Sequence, residues 1–154
     1  MIRIERGREP AELASARETG LARARAALRS GARIDLSGYE VAKAALAEMQ
    51  HYKCCYCEKV EEQPKYRDVE HYRPKSQYWW LTWTWGNLLF ACVDCNREHK
   101  RDRFPLAPGS VPLAAEQPPP GGEQPLVLDP ADRGSCACQA PSNLVHRTVV
   151  ERIA

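Results

Sequence analysis

The sequence predicts an α+β protein, in which N-terminal helices precede a small strand-containing core that a metal holds together. Residues 10–52 are rich in Ala, Leu, Arg and Glu, which favour helix. Residues 65–90 hold all four tryptophans and alternate locally between apolar and polar residues, as a strand does. This aromatic stretch lies between two Cys-x-x-Cys pairs, Cys54 with Cys57 and Cys92 with Cys95.

The bulk composition limits the classes of protein that fit. A length of 154 residues is that of one ordinary domain. We divide it into an N-terminal helical segment (1–53), a core (54–104), and a Pro-rich loop with a C-terminal segment (105–154). The net charge of +2 is too small to argue for nucleic-acid binding without local clusters. The charged start lacks the apolar core of a signal peptide, so a cytoplasmic protein without disulfides is expected.

Two helices are predicted in the N-terminal segment. The first covers Pro10–Ser30, with Gly20 as its only helix breaker. The second covers Tyr39–Tyr52, with Ser37 as the candidate N-cap residue. Its buried side is expected to carry Val41, Leu46 and Met49.

The aromatic stretch predicts a β-hairpin followed by a short helix. Leu81–Trp85 alternates as a strand, and Tyr66–His71 is the candidate partner strand. Pro74 and its polar neighbours fit the loop between them. The short helix is expected over Asp94–Arg103, because Pro105 follows it.

The C-terminal segment is expected to contain little regular structure. Prolines recur from Pro105 to Pro130, which predicts a loop or a mobile linker. Leu126–Pro130 reads as a short buried strand that ends in a turn. Cys136 and Cys138 have no evident partners, and we interpret them as ordinary free thiols.

The two cysteine pairs predict a structural zinc site. Two thiolates in each tight turn supply four ligands, which is the tetrahedral set that zinc accepts. Such a site has no open position for catalysis. Cys55 is the main rival to Cys54 as a ligand, although it would form a C-x-C pair with Cys57. Iron–sulfur ligation is the less favoured alternative.

Polar residues that could cleave a phosphodiester bond lie between and just after the cysteine pairs. Such cleavage needs a base for water, oxygen ligands for a divalent ion, and cations for the phosphates. A lone Glu-His dipeptide is weak evidence, because most histidines are surface or hydrogen-bonded residues. The candidates are His71 as base, Glu70 and Asn96 as ligands, and Arg73, Lys75 and Lys100 as cations, with Arg97 and Arg101 as further phosphate contacts.

The order of the motifs strengthens the case for phosphodiester cleavage. From Cys54 to Lys100 the chain reads C-x-x-C, E-H-x-x-P-K, W-x-N-L and C-x-x-C-N-x-x-x-K. This series resembles the zinc-clamped HNH nucleases of the ββα-metal fold. With "MIRIERGREP", "YCEK", "RFPL" and "LVLDP", it resembles the HNH subunits (PtuB) of Septu-type antiphage systems, which also occur beside some retrons.

The resemblance implies a role for each matching residue. It makes His71 the general base, and it makes Glu70 and Asn96 the protein ligands of a catalytic Mg²⁺ or Mn²⁺. Asn87 would brace the loop that orients the histidine, and His99 is a weaker alternative to Asn96 as ligand. The resemblance also implies DNA as substrate and an ABC/SMC-like ATPase partner (PtuA), through which the protein could oligomerise.

Two alternatives stay open at this point. The chain could be a catalytically idle zinc module that binds nucleic acid or a protein partner, since the cysteines alone do not separate the two. A nuclease of this kind could also cut RNA or tRNA instead of DNA.

Overall fold

A computed structural model of the protein describes residues 4–131 and shows an α+β fold. Cys136 and Cys138, with the rest of the C-terminal segment beyond residue 131, lie outside the described residues. The helices are α1 (Ala11–Ser30), α2 (Lys43–Met49) and a π-helix (Asp94–Lys100), and the strands are β1 (Arg67–His71) and β2 (Leu88–Cys92). Among residues 4–131, none of the helices has the length and apolar character that a membrane span requires.

Helix α1 has the predicted extent, and Gly20 does not break it. The reason is a close approach: a Cβ atom added at Gly20 would lie 2.4 Å from Cε2 of Trp83. The indole Nε1 of Trp83 also donates a hydrogen bond to the carbonyl of Ser37 at 3.0 Å. Because glycine has no side chain, the indole ring of Trp83 can pack directly against α1 at this position.

The second helix is shorter than predicted. A 3-10 turn over Tyr39–Ala42 leads into α2, which ends at Met49. The N-cap position is Gly38 and no side chain caps it, so the assignment of Ser37 as N-cap was wrong. Val41 is 49% exposed, contrary to expectation, because the tight turn directs it away from the core. Leu46 is buried as predicted.

The two strands pair antiparallel, but the second strand is not the predicted one. β1 pairs with β2, with Glu70 opposite Leu89 and His71 opposite Leu88. The segment Leu81–Trp85 instead lies in successive turns, in which the amide of residue 84 donates to the carbonyl of Leu81. Its alternation arises because Trp83 and Trp85 fill the core, not because the segment is extended.

Both faces of the sheet are buried. Leu88 and Phe90 pack with Trp83 on one face, while Leu89 and Ala91 pack with residues of the other core cluster. A strand that is covered on both sides reads as a continuous apolar run. This is why "LLFAC" shows no alternation in the sequence.

The segment after the π-helix is irregular but well anchored. Residues 105–131 contain no helix or named strand, only an isolated bridge between Leu106 and Pro125. The prediction of a buried strand at Leu126–Pro130 was wrong, since Leu126 and Leu128 are 46% and 41% exposed. The helix predicted over Asp94–Arg103 ends three residues early, where Arg101 takes φ 48°.

Candidate active site and cysteine cluster

The four predicted ligand cysteines lie together. Their Sγ atoms are all within 4.8 Å of one another, and those of Cys57 and Cys92 are 3.8 Å apart. A tetrahedral ion with Zn–S bonds of about 2.3 Å holds its sulfur atoms about 3.8 Å apart. The cluster therefore has the dimensions and donor set of a four-thiolate metal site.

Three structural elements bring these cysteines together. Cys54 and Cys57 lie in the turn that follows α2, Cys92 ends β2, and Cys95 is in the π-helix. Cys55 is buried but outside the group, so the structure favours Cys54 over its rival. Hydrogen bonds from Cys55 and Cys95 hold the pKa of Cys54 well below its ordinary value, whereas burial raises the pKa of Cys55.

His71 is the last residue of β1 and is almost completely buried. Its Nε2 lies 3.0 Å from the backbone carbonyl of Thr82. Since a carbonyl can only accept a hydrogen bond, Nε2 must carry the proton, and Nδ1 keeps the free electron pair. Burial lowers the pKa of His71 to about 4, although the hydrogen bond to Thr82 opposes this shift; the charges of Lys75 and Lys100 add a smaller lowering. His71 is therefore a neutral imidazole at neutral pH, and its Nδ1 is unprotonated.

The lowered pKa of His71 makes stability depend on pH. Between pH 6.5 and about 4 the unfolded chain binds a proton that the folded chain does not, so stability falls as the pH falls. The loss should approach about 3 kcal/mol near pH 4. Urea unfolding of wild type and His71→Asn at several pH values measures it. The difference in unfolding free energy between wild type and His71→Asn should change across this pH range. A constant difference would contradict the prediction.

Asn87 binds the backbone of the loop that follows His71. Its Oδ1 accepts from the amide of Arg73 at 2.9 Å, and its Nδ2 donates to the carbonyls of Arg73 and Leu81 at 3.0 and 3.3 Å. Asn87 is buried directly before β2, so these bonds join the two ends of the loop. This arrangement suits the bracing role that the resemblance implies.

Glu70 points to the side of β1 that faces the π-helix and carries a buried ion pair. Its Oε1 is 3.1 Å from Nζ of Lys100 and accepts a hydrogen bond from Tyr56 at 2.9 Å. The side chains of Glu70 and Lys100 are 2% and 0% exposed. Burial raises the pKa of Glu70, and the Lys100 charge opposes that shift. Lys100 therefore neutralises Glu70 and presents no ammonium group at the surface.

Asn96 contacts a carboxylate that the sequence reasoning missed. Its Nδ2 donates to Oδ2 of Asp68 at 3.0 Å, and Arg97 donates to both carboxylate oxygens of Asp68 at 2.8 and 2.9 Å. Burial alone would raise the pKa of Asp68, but these hydrogen bonds hold it below its ordinary value. The sequence does indicate that Asp68 belongs near Glu70, because it precedes Glu70 by two residues and shares its side of the strand.

The residues assigned to a catalytic divalent ion do not fit one ion in this arrangement. Glu70 is occupied by Lys100 and Tyr56, whereas Asn96 is turned toward Asp68. Among the described residues, the cysteines are the one group of three or more Cys, His, Asp or Glu side chains placed to share a metal.

The predicted phosphate-binding cations have different surroundings. Nζ of the half-buried Lys75 donates to the Tyr39 hydroxyl at 2.8 Å and lies 4.2 Å from the ring centroid. The Tyr39 and His71 rings make a T-shaped contact with centroids 4.6 Å apart. Arg73 is buried, and its Nε donates to Glu123 at 2.7 Å. His99 is exposed on the π-helix. Of the three predicted cations, Arg73, Lys75 and Lys100, Lys75 is thus the one that lies beside His71 with part of its side chain in solvent.

Comparison with known proteins identifies relatives along most of the chain. It is 32% identical over 156 aligned positions to the Septu protein PtuB of Bacillus mycoides (strain KBAB4), covering 86% of this chain and 52% of that protein. It is 49% identical over 55 positions to the Septu protein PtuB of Bacillus thuringiensis, covering 35% of this chain and 21% of that protein. The chain thus spans about half of the first relative and less of the second. No protein-family model matches it.

Proposed function

The chain is a PtuB-like protein over 86% of its length, and from that premise we propose that it is an HNH endonuclease. It would hydrolyse DNA phosphodiester bonds as the nuclease component of an antiphage defence system. Because the chain spans about half the length of that relative, its activity, substrate and partners belong to this proposal. The partner that the resemblance implies is an ABC/SMC-like ATPase of the PtuA type.

The state of His71 carries the proposal. A general base must be unprotonated at working pH and must offer a nitrogen that is not already bonded. Thr82 accepts the Nε2 proton, and the lowered pKa of His71 keeps the ring neutral. Nδ1 can therefore take a proton from the water that attacks phosphorus.

Two neighbours of His71 support the same role. Asn87 fixes the backbone on either side of the loop between His71 and Thr82, which limits movement of the ring. The half-buried Lys75 donates to the hydroxyl of Tyr39, whose ring contacts the histidine, and its ammonium could contact a backbone phosphate there. We do not assign phosphate contacts to Arg73 or Lys100, because both side chains are buried and paired.

The cysteine cluster fits zinc as a structural ion. Cys54, Cys57, Cys92 and Cys95 would hold it, and a zinc bound in this way supplies folding free energy rather than reaction chemistry. It would tie the turn after α2 to the end of β2 and to the π-helix. The order of β1, β2 and this helix supports the strand–strand–helix core of the ββα-metal fold.

The requirement for Mg²⁺ or Mn²⁺ stays a prediction of the resemblance. Since Glu70 and Asn96 face different partners, we derive no step through a second metal ion. A cleavage assay with EDTA, Mg²⁺ or Mn²⁺ tests this requirement directly.

Replacement of His71 should abolish cleavage without removing zinc. With the ATPase partner present, His71→Asn is expected to nick plasmid DNA at least about 100-fold more slowly than wild type, since a positioned base contributes that much or more. The matched control is His51→Asn, an exposed histidine at φ 53°, a conformation that asparagine tolerates. Equal nicking by wild type and His71→Asn would refute the proposal.

A catalytically idle binding module is the second candidate. The observation in its favour is that both Glu70 and Asn96 are engaged by other side chains. Such a module would bind DNA or its partner equally well with asparagine at position 71. It would show no nicking above background under any metal condition.

A further inference from the structure

The loop between His71 and Thr82 is held by a distant part of the chain. We call residues 113–127 the strap. Four side chains of the loop donate hydrogen bonds to it: Tyr72 to the Val127 carbonyl at 2.7 Å, Arg73 to Glu123 at 2.7 Å, Tyr78 to Glu123 at 2.5 Å, and Trp80 to the Gln117 carbonyl at 2.9 Å. The segment predicted as a loop or a mobile linker therefore packs against the candidate active-site loop.

Glu123 is the centre of these contacts. Its side chain is 0% exposed, and that of its partner Arg73 is 10% exposed. Oε2 accepts from Arg73, while Oε1 accepts from Tyr78 and from the amide of Leu113 at 3.2 Å. The carboxylate is thus fully hydrogen-bonded inside the protein. Removal of one partner from such a pair leaves an uncompensated buried charge, which is strongly destabilising.

The two loop residues that Glu123 holds are placed to affect His71. Arg73 follows His71 by two residues, and its backbone is also bound by Asn87. Tyr78 precedes Thr82 by four residues, and its carbonyl accepts from the Leu81 amide. One carboxylate therefore fixes both halves of the loop whose last carbonyl meets His71.

We propose that Glu123 is a positioning residue for His71. By holding Arg73 and Tyr78, it keeps the Thr82 carbonyl against Nε2, so that Nδ1 remains the free nitrogen of the ring. The role rests on the proposed function, in which His71 is the base. The strap would therefore help to position the side chains of the reaction site.

The experiment compares full-length, zinc-loaded Glu123→Gln with Glu116→Gln. Glu116 precedes Glu123 in the same strap, but it pairs with the exposed Arg25 and takes no part in the loop contacts. Amide hydrogen exchange is measured at Gln77, Tyr78 and Leu81, and in β1 and β2 as reference. Nicking kinetics are measured with the ATPase partner.

Glu123→Gln should speed exchange of the three loop amides by about tenfold or more, because the loop loses the carboxylate that holds Arg73 and Tyr78. The rate constant kcat should fall by about tenfold with KM unchanged, since misplacement of a base affects the chemical step. The double variant Arg73→Gln/Glu123→Gln removes both charges and should recover loop protection. Glu116→Gln should match wild type in every measurement.

Unchanged loop exchange, or an unchanged kcat in a variant whose loop exchange is faster, would overturn the inference. If Glu123→Gln does not fold, Tyr78→Phe removes a single hydrogen bond to the same carboxylate, and the same criteria apply to it. A wild type that cleaves nothing would refute the proposed function, while the exchange data would still decide whether the strap holds the loop. The two failures are therefore distinguishable.

Discussion

Loss of one cluster cysteine is expected to unfold the core of the protein. Cys95→Ser should release zinc and abolish the cooperative melting transition, because an ion held by the cluster would join the turn after α2 to β2 and the π-helix. Structural zinc in small domains contributes about 10–16 kcal/mol of apparent binding free energy, which equals or exceeds the stability of an ordinary domain. Metal analysis and circular dichroism of the purified variant measure both effects.

The control for this prediction is the neighbouring buried thiol. Cys55→Ala removes a cysteine that is outside the cluster, so the protein should keep one zinc per chain and melt cooperatively at a lower temperature. Full zinc retention with normal melting in Cys95→Ser would rule out the four-cysteine site. Loss of zinc in Cys55→Ala would show that Cys55 is a ligand.

Replacement of Lys100 by methionine is expected to destabilise the fold by about 3–5 kcal/mol at pH 7, because the Glu70 carboxylate would remain buried without its ammonium partner. The burial-raised pKa of Glu70 would rise further in this variant. The destabilisation should therefore shrink at acidic pH, where Glu70 is protonated and neutral. Chemical denaturation at pH 5 and pH 7 measures both effects.

A double-variant cycle separates this charge effect from lost packing. Glu70→Gln/Lys100→Met removes both charges and should be more stable than Lys100→Met alone. Lys59→Met is the surface control, because Lys59 is 56% exposed and pairs with Glu61 at 3.4 Å. It should leave the unfolding midpoint unchanged. If the single and double variants at position 100 were equally stable, the buried pair would not be coupled.

Local patterns in the sequence were sufficient for the helix α1, strand β1 and the cysteine cluster. Helix-forming composition predicts α1, because helix propensity is a property of the segment itself. The cysteine cluster is predicted although its two pairs are distant in the chain, because each Cys-x-x-Cys pair supplies half of a four-thiolate ligand set. The second strand was missed for a physical reason. Leu88–Cys92 is covered on both faces and lacks alternation, whereas Leu81–Trp85 alternates without being extended.

Contacts between distant segments could not be predicted in the same way. Nothing local to Lys100 indicates that it neutralises Glu70, because that pairing depends on how the π-helix is set against β1. The same is true of Glu123 and Arg73, which are fifty positions apart in the chain. Asp68 is the exception, since its spacing from Glu70 places both carboxylates on one side of a strand.

The contacts of the tryptophan indole groups determine the shortest fragment of this protein that could fold by itself. Trp83 and Trp85 donate to the carbonyls of Ser37 and Gly7, and Trp80 donates to that of Gln117. A fragment cut at the motif boundaries, residues 54–104, would leave three large rings uncovered and three N–H donors without their acceptors. Transfer of the motif-bearing unit to another protein would therefore need at least residues 7–123.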